Sequence, residues 1–312
     1  MTIPLLQDIK QNKRDFRRLG AGLVFMLLLY SGGSWAAASV FNHYLRVYYC
    51  LEPVDILCIG HSMSEMGIDK TLLEKIIHRP VGKYCMNGAG TVERLVMLNH
   101  YLEEVKTPPK LLVYDVSARL FSGGLAKESY QLFLPFLNHS KVCTAFLREN
   151  LSGSALLFFS LSPLSRYENT RLGAVQRGFA KDWKTRKNTQ FDPAVFRKRV
   201  AAGNFWHISV EPSAVAAFEE MLRICRERKI KVLLAALPCA DILNEAEPVK
   251  YRQVMTRLKK YCDENGNVVF FDCNPDFSSR YEFFADPIHL NPQGQKAVCA
   301  VLGKIIAKTL ER

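Results

Sequence analysis

Between Leu19 and Leu45 the chain carries no Lys, Arg, Asp or Glu, and this run constrains every later reading. A bilayer core of about 30 Å is crossed by about 20 residues of helix. Leu19–Phe41 (LGAGLVFMLLLYSGGSWAAASVF) is long enough to do so. The run has no polar face, which argues against an amphipathic core helix. Lys10, Lys13, Arg14, Arg17 and Arg18 precede it, whereas Arg46 is the only cation close behind it. The positive-inside rule then predicts a cytoplasmic tail (1–18), a transmembrane anchor (19–45) and an external domain (46–312). Ala36-Ala37-Ala38 also fits a small-residue cleavage site, so a cleaved signal peptide is the competing expectation.

The nine cysteines (Cys50, Cys58, Cys85, Cys143, Cys225, Cys239, Cys262, Cys273 and Cys299) all lie beyond that run. They form no C-x-x-C pair, so neither a zinc site nor a redox motif is expected. So many thiols sit awkwardly in a strongly oxidising compartment, and one or two disulfides remain open alternatives to buried thiols.

Beyond the anchor, short apolar runs alternate with amphipathic ones. Strands are expected at Asp55–Ile59, Leu111–Val116, Lys231–Leu237 and Val268–Asp272, with a weaker one at Lys83–Met86. Continuous rather than alternating apolarity marks the doubly buried strands of a parallel sheet. Helices are expected at Asp69–Ile77, Val92–Val105, Ser213–Arg228, Val249–Asn265 and Pro292–Leu310, the last with Asn291 as N-cap and Pro292 at its first position. Strand and helix in alternation predict a three-layer α/β domain with helices on both faces of the sheet. Residues 117–207 break the pattern and read as a helical insertion.

The insertion is basic. Arg166–Arg199 holds ten Lys/Arg against Glu168, Asp182 and Asp192, interleaved with Tyr167, Phe179, Trp183, Phe191 and Phe196. It reads either as a solvated surface or as a face for an anionic partner, such as phospholipid headgroups or a polyanionic glycan. Nucleic acid conflicts with an external domain, and none is expected. Nor is a cofactor or metal: there is no H-E-x-x-H, P-loop or strand-borne G-x-G-x-x-G.

Two passages far apart carry the catalytic expectation. Gly60-His61-Ser62 follows the first strand, where a serine at the turn into a helix is exposed at the carboxyl edge of an α/β sheet. Asp286-Pro287-Ile288-His289 precedes the last helix, and its spacing lets the carboxylate orient the imidazole. Ser62 as nucleophile, His289 as general base and Asp286 as its orienting partner would form a triad. Asp115, at the end of the third strand, is expected either to line the site or to hold a turn.

These passages resemble the first and last blocks of the SGNH (GDSL-type) hydrolases. The span from Gly60 to Asp69, behind an anchor, resembles the family's membrane-anchored variant, which includes the teichoic-acid D-alanine transfer protein and SGNH partners of membrane-bound O-acyltransferases. The resemblance covers roughly 54–116 and 230–306 and implies an SGNH/flavodoxin-like parallel sheet on the outer face of a bacterial plasma membrane. It further implies an esterase or acyltransferase acting on cell-envelope polysaccharide or teichoic acid. The partners it implies are the bilayer, an acylated or anionic glycan and a membrane-bound O-acyltransferase. The family's second block implies an oxyanion donor near Asn87-Gly88-Ala89-Gly90, with Gly88, Gly90 and the Asn87 amide as candidates. Its third block, Gly-x-Asn-Asp, is missing; Ser117-Ala118-Arg119 stands there instead. His61 occupies a position usually small or acidic in the family, where it would stabilise the turn or contact substrate. A non-catalytic accessory subunit and a conventional esterase are the alternative readings.

Overall fold

The computed structural model describes residues 4–123, 129–184 and 188–311, with side chains from Phe16 onward except that of Leu27. Five strands form one parallel sheet: β1 (Ile56–Gly60), β2 (Val81–Cys85), β3 (Leu111–Val116), β4 (Lys231–Ala236) and β5 (Val268–Asp272). Their order is β2-β1-β3-β4-β5. That order reverses direction between β1 and β3, the switch point at whose carboxyl ends open α/β sheets bind ligands. The register is regular, with Ile56 opposite both Val81 and Leu111.

The strands are apolar on both faces because both faces are covered. Leu57, Ile59, Leu112, Tyr114, Val232 and Leu234 enter one core, and Ile56, Cys58, Leu111, Val113, Leu233 and Ala235 enter the other. This is the three-layer sandwich expected from the strand–helix alternation. The helices are α1 (Pro4–Tyr48), α2 (Ser62–Gly67), α3 (Lys70–Ile77), α4 (Thr91–Val105), α5 (Lys141–Asn150), α6 (Gly153–Leu161) and α7 (Asn169–Ala180). They continue with α8 (Pro193–Ala201), α9 (Pro212–Glu227), α10 (Asp241–Glu245), α11 (Pro248–Glu264), α12 (Asn274–Phe277) and α13 (Pro292–Glu311). β2 begins two residues before the expected Lys83–Met86, because buried Lys83 interrupts an otherwise apolar run.

Among the described residues one helix, α1, is long and apolar enough to cross a membrane. Its two halves differ. Leu19, Leu23, Val24, Phe25, Met26, Leu28 and Leu29 are exposed, whereas Ala38, Asn42, Leu45 and Tyr48 are buried in the domain. The upper half of the apolar run is therefore shared with the domain core. Gly178 of α7 makes the contact possible, since a Cβ there would fall 1.9 Å from the Tyr44 carbonyl oxygen.

All nine cysteines are free thiols, and all but Cys262 are buried. Burial pushes Cys58 and Cys299 up to about 12, so they behave as small apolar groups. The insertion is helical, as expected, but its charge is not all outward. Arg166 and Arg171 are buried. Arg166 donates to the carbonyls of Phe159 (2.8 Å) and Leu137 (2.9 Å), which corrects the reading of the whole run as one basic face. Tyr167, Phe191 and Phe196 are core residues. Lys181, Lys184, Arg197, Lys198 and Arg199 remain exposed, and Arg186 and Lys187 lie outside the described residues.

Candidate active site

The site is built where β1 ends. Gly60 is its last residue, and no larger residue fits: a Cβ would fall 2.3 Å from Ser64 Oγ and 2.5 Å from Asp115 Oδ2. His61, still extended, is the N-cap of α2, its Nδ1 accepting from Met63 N at 3.0 Å. Ser62 follows at the first helical position. The helix is short and would not stand alone; it is held at both ends by buried charge.

At its start, Asp115 Oδ2 accepts from Ser64 Oγ (2.6 Å) and from the His61 N–H (3.3 Å). Asp115 Oδ1 accepts from Arg94 Nη1 at 2.8 Å, and the same nitrogen donates to the Asp115 carbonyl. At its end, Lys83 Nζ donates to the carbonyls of Glu65 (2.6 Å) and Ile68 (2.7 Å), the placement that suits a cation at a helix C-terminus. Burial alone would raise the Asp115 carboxyl. The neighbouring His61 and Arg94, with the bonds from Ser64 and His61 N–H, overcome it and hold the group below the usual carboxylate range. Burial pushes His61 down to about 4, so this imidazole is neutral at pH 7, consistent with Nδ1 acting as an acceptor.

The other half comes from the loop before α13. A bridge between Phe284 and Leu290 and the bond from Ala285 N to the His289 carbonyl (2.8 Å) close it into a tight turn. Inside it, Asp286 Oδ1 accepts from the N–H groups of Ile288 and His289, both at 3.0 Å. Asn291 ends the loop as N-cap of α13, accepting from Gln293 N and Gly294 N.

The two halves meet. His289 Nε2 lies 2.8 Å from Ser62 Oγ, and His289 Nδ1 lies 2.7 Å from Asp286 Oδ2. A carboxylate only accepts, so the imidazole proton belongs on Nδ1 and the Nε2 lone pair faces the serine hydroxyl. Ser62 then donates to His289, and His289 donates to Asp286. Beside His289 opens an apolar cleft of about 270 Å³, walled by Phe196, Phe205, Trp206, Leu243 and Ile288. Arg119, just past the end of β3, is buried and holds the Trp206 and Leu243 carbonyls. A larger depression of about 430 Å³, among Asp69, Lys75, Lys184 and Lys296, touches neither Ser62 nor His289.

The remaining candidates fall unevenly around this pair. Met86 N bonds to the Gly60 carbonyl, which sets the turn after β2 beside the end of β1. In that turn Ala89 N bonds back to the Met86 carbonyl, and Gly88 has φ +82°, the left-handed position that glycine fills without strain. Gly90 is the N-cap of α4. Asn87 is exposed. His61 is 3% exposed and committed to the turn, so the expected choice between turn and substrate contact falls to the turn. Asp115 resolves the same way, as a buried structural carboxylate. Reading the sequence missed Arg94, Ser64 and Lys83. The one available signal was an arginine and a lysine on otherwise apolar faces, each of which needs a buried partner.

No protein-family model matches the sequence, and no curated protein matches it. Among solved structures the chain is similar to a GDSL-like lipase from Bacteroides thetaiotaomicron, at 12% identity, over 87% of this chain and 98% of that one, with a TM-score of 0.44. It is also similar to a carbohydrate esterase family 2 enzyme with a carbohydrate-binding domain from Corynascus thermopiles (Myceliophthora fergusii). There the identity is 12%, the coverage 82% of this chain and 66% of that one, and the TM-score 0.38.

Proposed function

We propose that the protein is a membrane-anchored serine acyl hydrolase or O-acyltransferase of the SGNH type, acting on an acylated or anionic glycan of the cell envelope. The observation that carries this reading is the chain of hydrogen bonds Ser62–His289–Asp286 beside an apolar cleft. Ser62 Oγ attacks an ester or thioester carbonyl, forming the Oγ–C bond while its proton passes to His289 Nε2. The tetrahedral oxyanion is met by backbone N–H groups at Ser62 and in the Gly88–Gly90 turn, with Asn87 at the rim. Collapse breaks the bond to the leaving group, which takes the proton from His289. Water or a glycan hydroxyl then gives its proton to His289 and accepts the acyl group, and Ser62 is restored. Asp286 stays ionised throughout and stabilises the imidazolium.

The acyl chain occupies the cleft walled by Phe196, Phe205 and Trp206, and the exposed Arg197, Lys198 and Arg199 of α8 face an anionic polymer. The apolar half of α1 anchors the chain with its basic tail in the cytoplasm. A serine-reactive fluorophosphonate should label the wild type and leave Ser62→Ala unlabelled. The same variant should lose hydrolysis of a soluble acetyl ester. Wild-type levels of acylated glycan in a Ser62→Ala strain would instead assign the protein to a non-catalytic role beside a membrane-bound O-acyltransferase.

A further inference from the structure

From Leu151 to Ser165 the insertion contains no charged residue. This stretch includes α6, with sequence GSALLFFSL, apolar on every side. A helix that is apolar all round belongs in a protein core or in lipid. Yet none of the nine residues of α6 is buried, and Leu157, Phe158 and Leu161 are each more than half exposed.

Where α6 stands relative to α1 identifies what covers it. At Tyr30 the domain meets α1 through a hydrogen bond, the tyrosine hydroxyl lying 3.0 Å from Ser162 Oγ at the end of α6. Above it, Ser34 Oγ accepts from Leu164 N (3.1 Å), Arg166 packs over the Trp35 ring at 5.3 Å, and Tyr167 donates to the Ala38 carbonyl at 3.0 Å. Below Tyr30, the described side chains of α1 from Leu19 to Leu29 are exposed, over about 16 Å of helix at 1.5 Å per residue. A bilayer core of about 30 Å needs about 20 residues, and counted from Leu19 these end at Ala38. The stretch from Tyr30 to Ala38, about 12 Å long, must therefore cross the outer half of the bilayer with the domain already against it.

We infer that α6 is embedded in the outer leaflet, so that the protein holds the membrane through a second, non-spanning apolar element as well as through α1. The inference rests on the reading of α1 as a membrane-spanning anchor. The polar groups of the segment are consistent with immersion. Ser152 caps the start of α6 by accepting from Ala155 N, Ser160 Oγ accepts from Asn138, and Arg166 bonds the Phe159 carbonyl in the last turn. Few backbone groups are then left to seek water, as lipid requires. Trp35 and Arg166 stand near the predicted lipid–water boundary, where an aromatic ring and a cation are both accommodated. At the upper end of α1, Tyr48 donates to Glu65 in α2. The ten helical steps from Ala38 to Tyr48 place the helix that carries Ser62 about 15 Å above the hydrocarbon, within reach of headgroup-linked polymer.

The test uses the full chain reconstituted into vesicles of phosphatidylcholine brominated along one acyl chain. Fluorescence added by a single new tryptophan is measured over the wild-type background. Leu23→Trp reports on the anchor, Phe158→Trp and Leu161→Trp report on α6, and Val249→Trp, exposed at the start of α11, reports on the aqueous surface. Embedding predicts that the added emission at 158 and 161 is lost to the same extent as at 23, while that at 249 is retained. Retained emission at both 158 and 161 with loss at 23 would overturn the inference and leave α6 to water or to a second protein chain. Retained emission at 23 as well would overturn the anchor reading itself, and the inference with it.

Discussion

Two aspartates flank the short helix that carries Ser62, under opposite conditions. Asp286 has a side chain 25% exposed, sits three residues from its histidine, and is organised by the backbone of one tight loop. Asp115 has a side chain 4% exposed and gathers partners from two separate parts of the chain: Arg94 in α4, and Ser64 with the His61 N–H at the start of α2. On the proposed function the first services a charge that comes and goes on an imidazole, which a partly solvated carboxylate can do at small reorganisation cost. The second serves a charge that never changes, and its burial makes the geometry around Gly60 rigid. One carboxylate is assigned to chemistry and the other to position.

Exchanging each for its amide separates them. Asp286→Asn should lower kcat for ester hydrolysis by about ten-thousand-fold, through loss of the correct imidazole tautomer and of the countercharge. The urea midpoint should hardly move, because a partly exposed loop carboxylate contributes little to stability. A large loss of stability with modest loss of rate would reverse the assignment. Next in size, Arg94→Met leaves Asp115 buried without its cation and should cost about 3–5 kcal/mol of unfolding free energy. Fluorophosphonate labelling of the molecules that remain folded should persist. Unchanged stability would mean that the buried pair is dispensable and that α2 is held by other contacts.

The third test sharpens the positional side through pH. The folded-state value of His61, about 4, lies below the ordinary histidine value of about 6.5. The unfolded chain therefore binds the extra proton between these values. The stability from keeping this ring neutral is present above about pH 6.5 and is lost as pH falls toward 4, on the order of 3 kcal/mol in all. His61→Asn keeps a capping side chain and removes the titration. Its urea midpoint should fall less than that of the wild type between pH 7 and pH 5, and an equal fall would remove His61 from the account. The smallest expected effect belongs to the cleft wall. Phe205→Ala should raise KM for a longer acyl ester about tenfold, the worth of a few lost methylene contacts, and leave acetyl esters almost unaffected. Equal effects on both would place Phe205 outside the acyl site.

Legibility followed the range of the interaction. The four strong strands and the helices between them could be read to within a residue or two, because doubly buried strands and one-sided helices leave local periodic patterns. Asp286 and His289 could be paired in sequence because a three-residue spacing is a local geometric fact. Gly60 could be noticed, but its reason could not: the atoms that exclude a Cβ there belong to Ser64 and to Asp115, far along the chain. Arg166 and Arg171 were counted as surface charge because composition carries no direction, and the fold turned both inward.

Sequence by itself determined the elements, the membrane-length apolar run and the chemical types available at the two ends of the domain, since each depends on residues close together along the chain. Tertiary structure alone decided that the loop before α13 reaches the start of α2 across the carboxyl edge of the sheet and sets His289 Nε2 2.8 Å from Ser62 Oγ. It also decided that the segment following the charge-free helix of the insertion meets α1 at Tyr30 and Ser34. The strand order of the sheet and the packing of the insertion on α1 create those encounters, and both are properties of the chain folded as a whole.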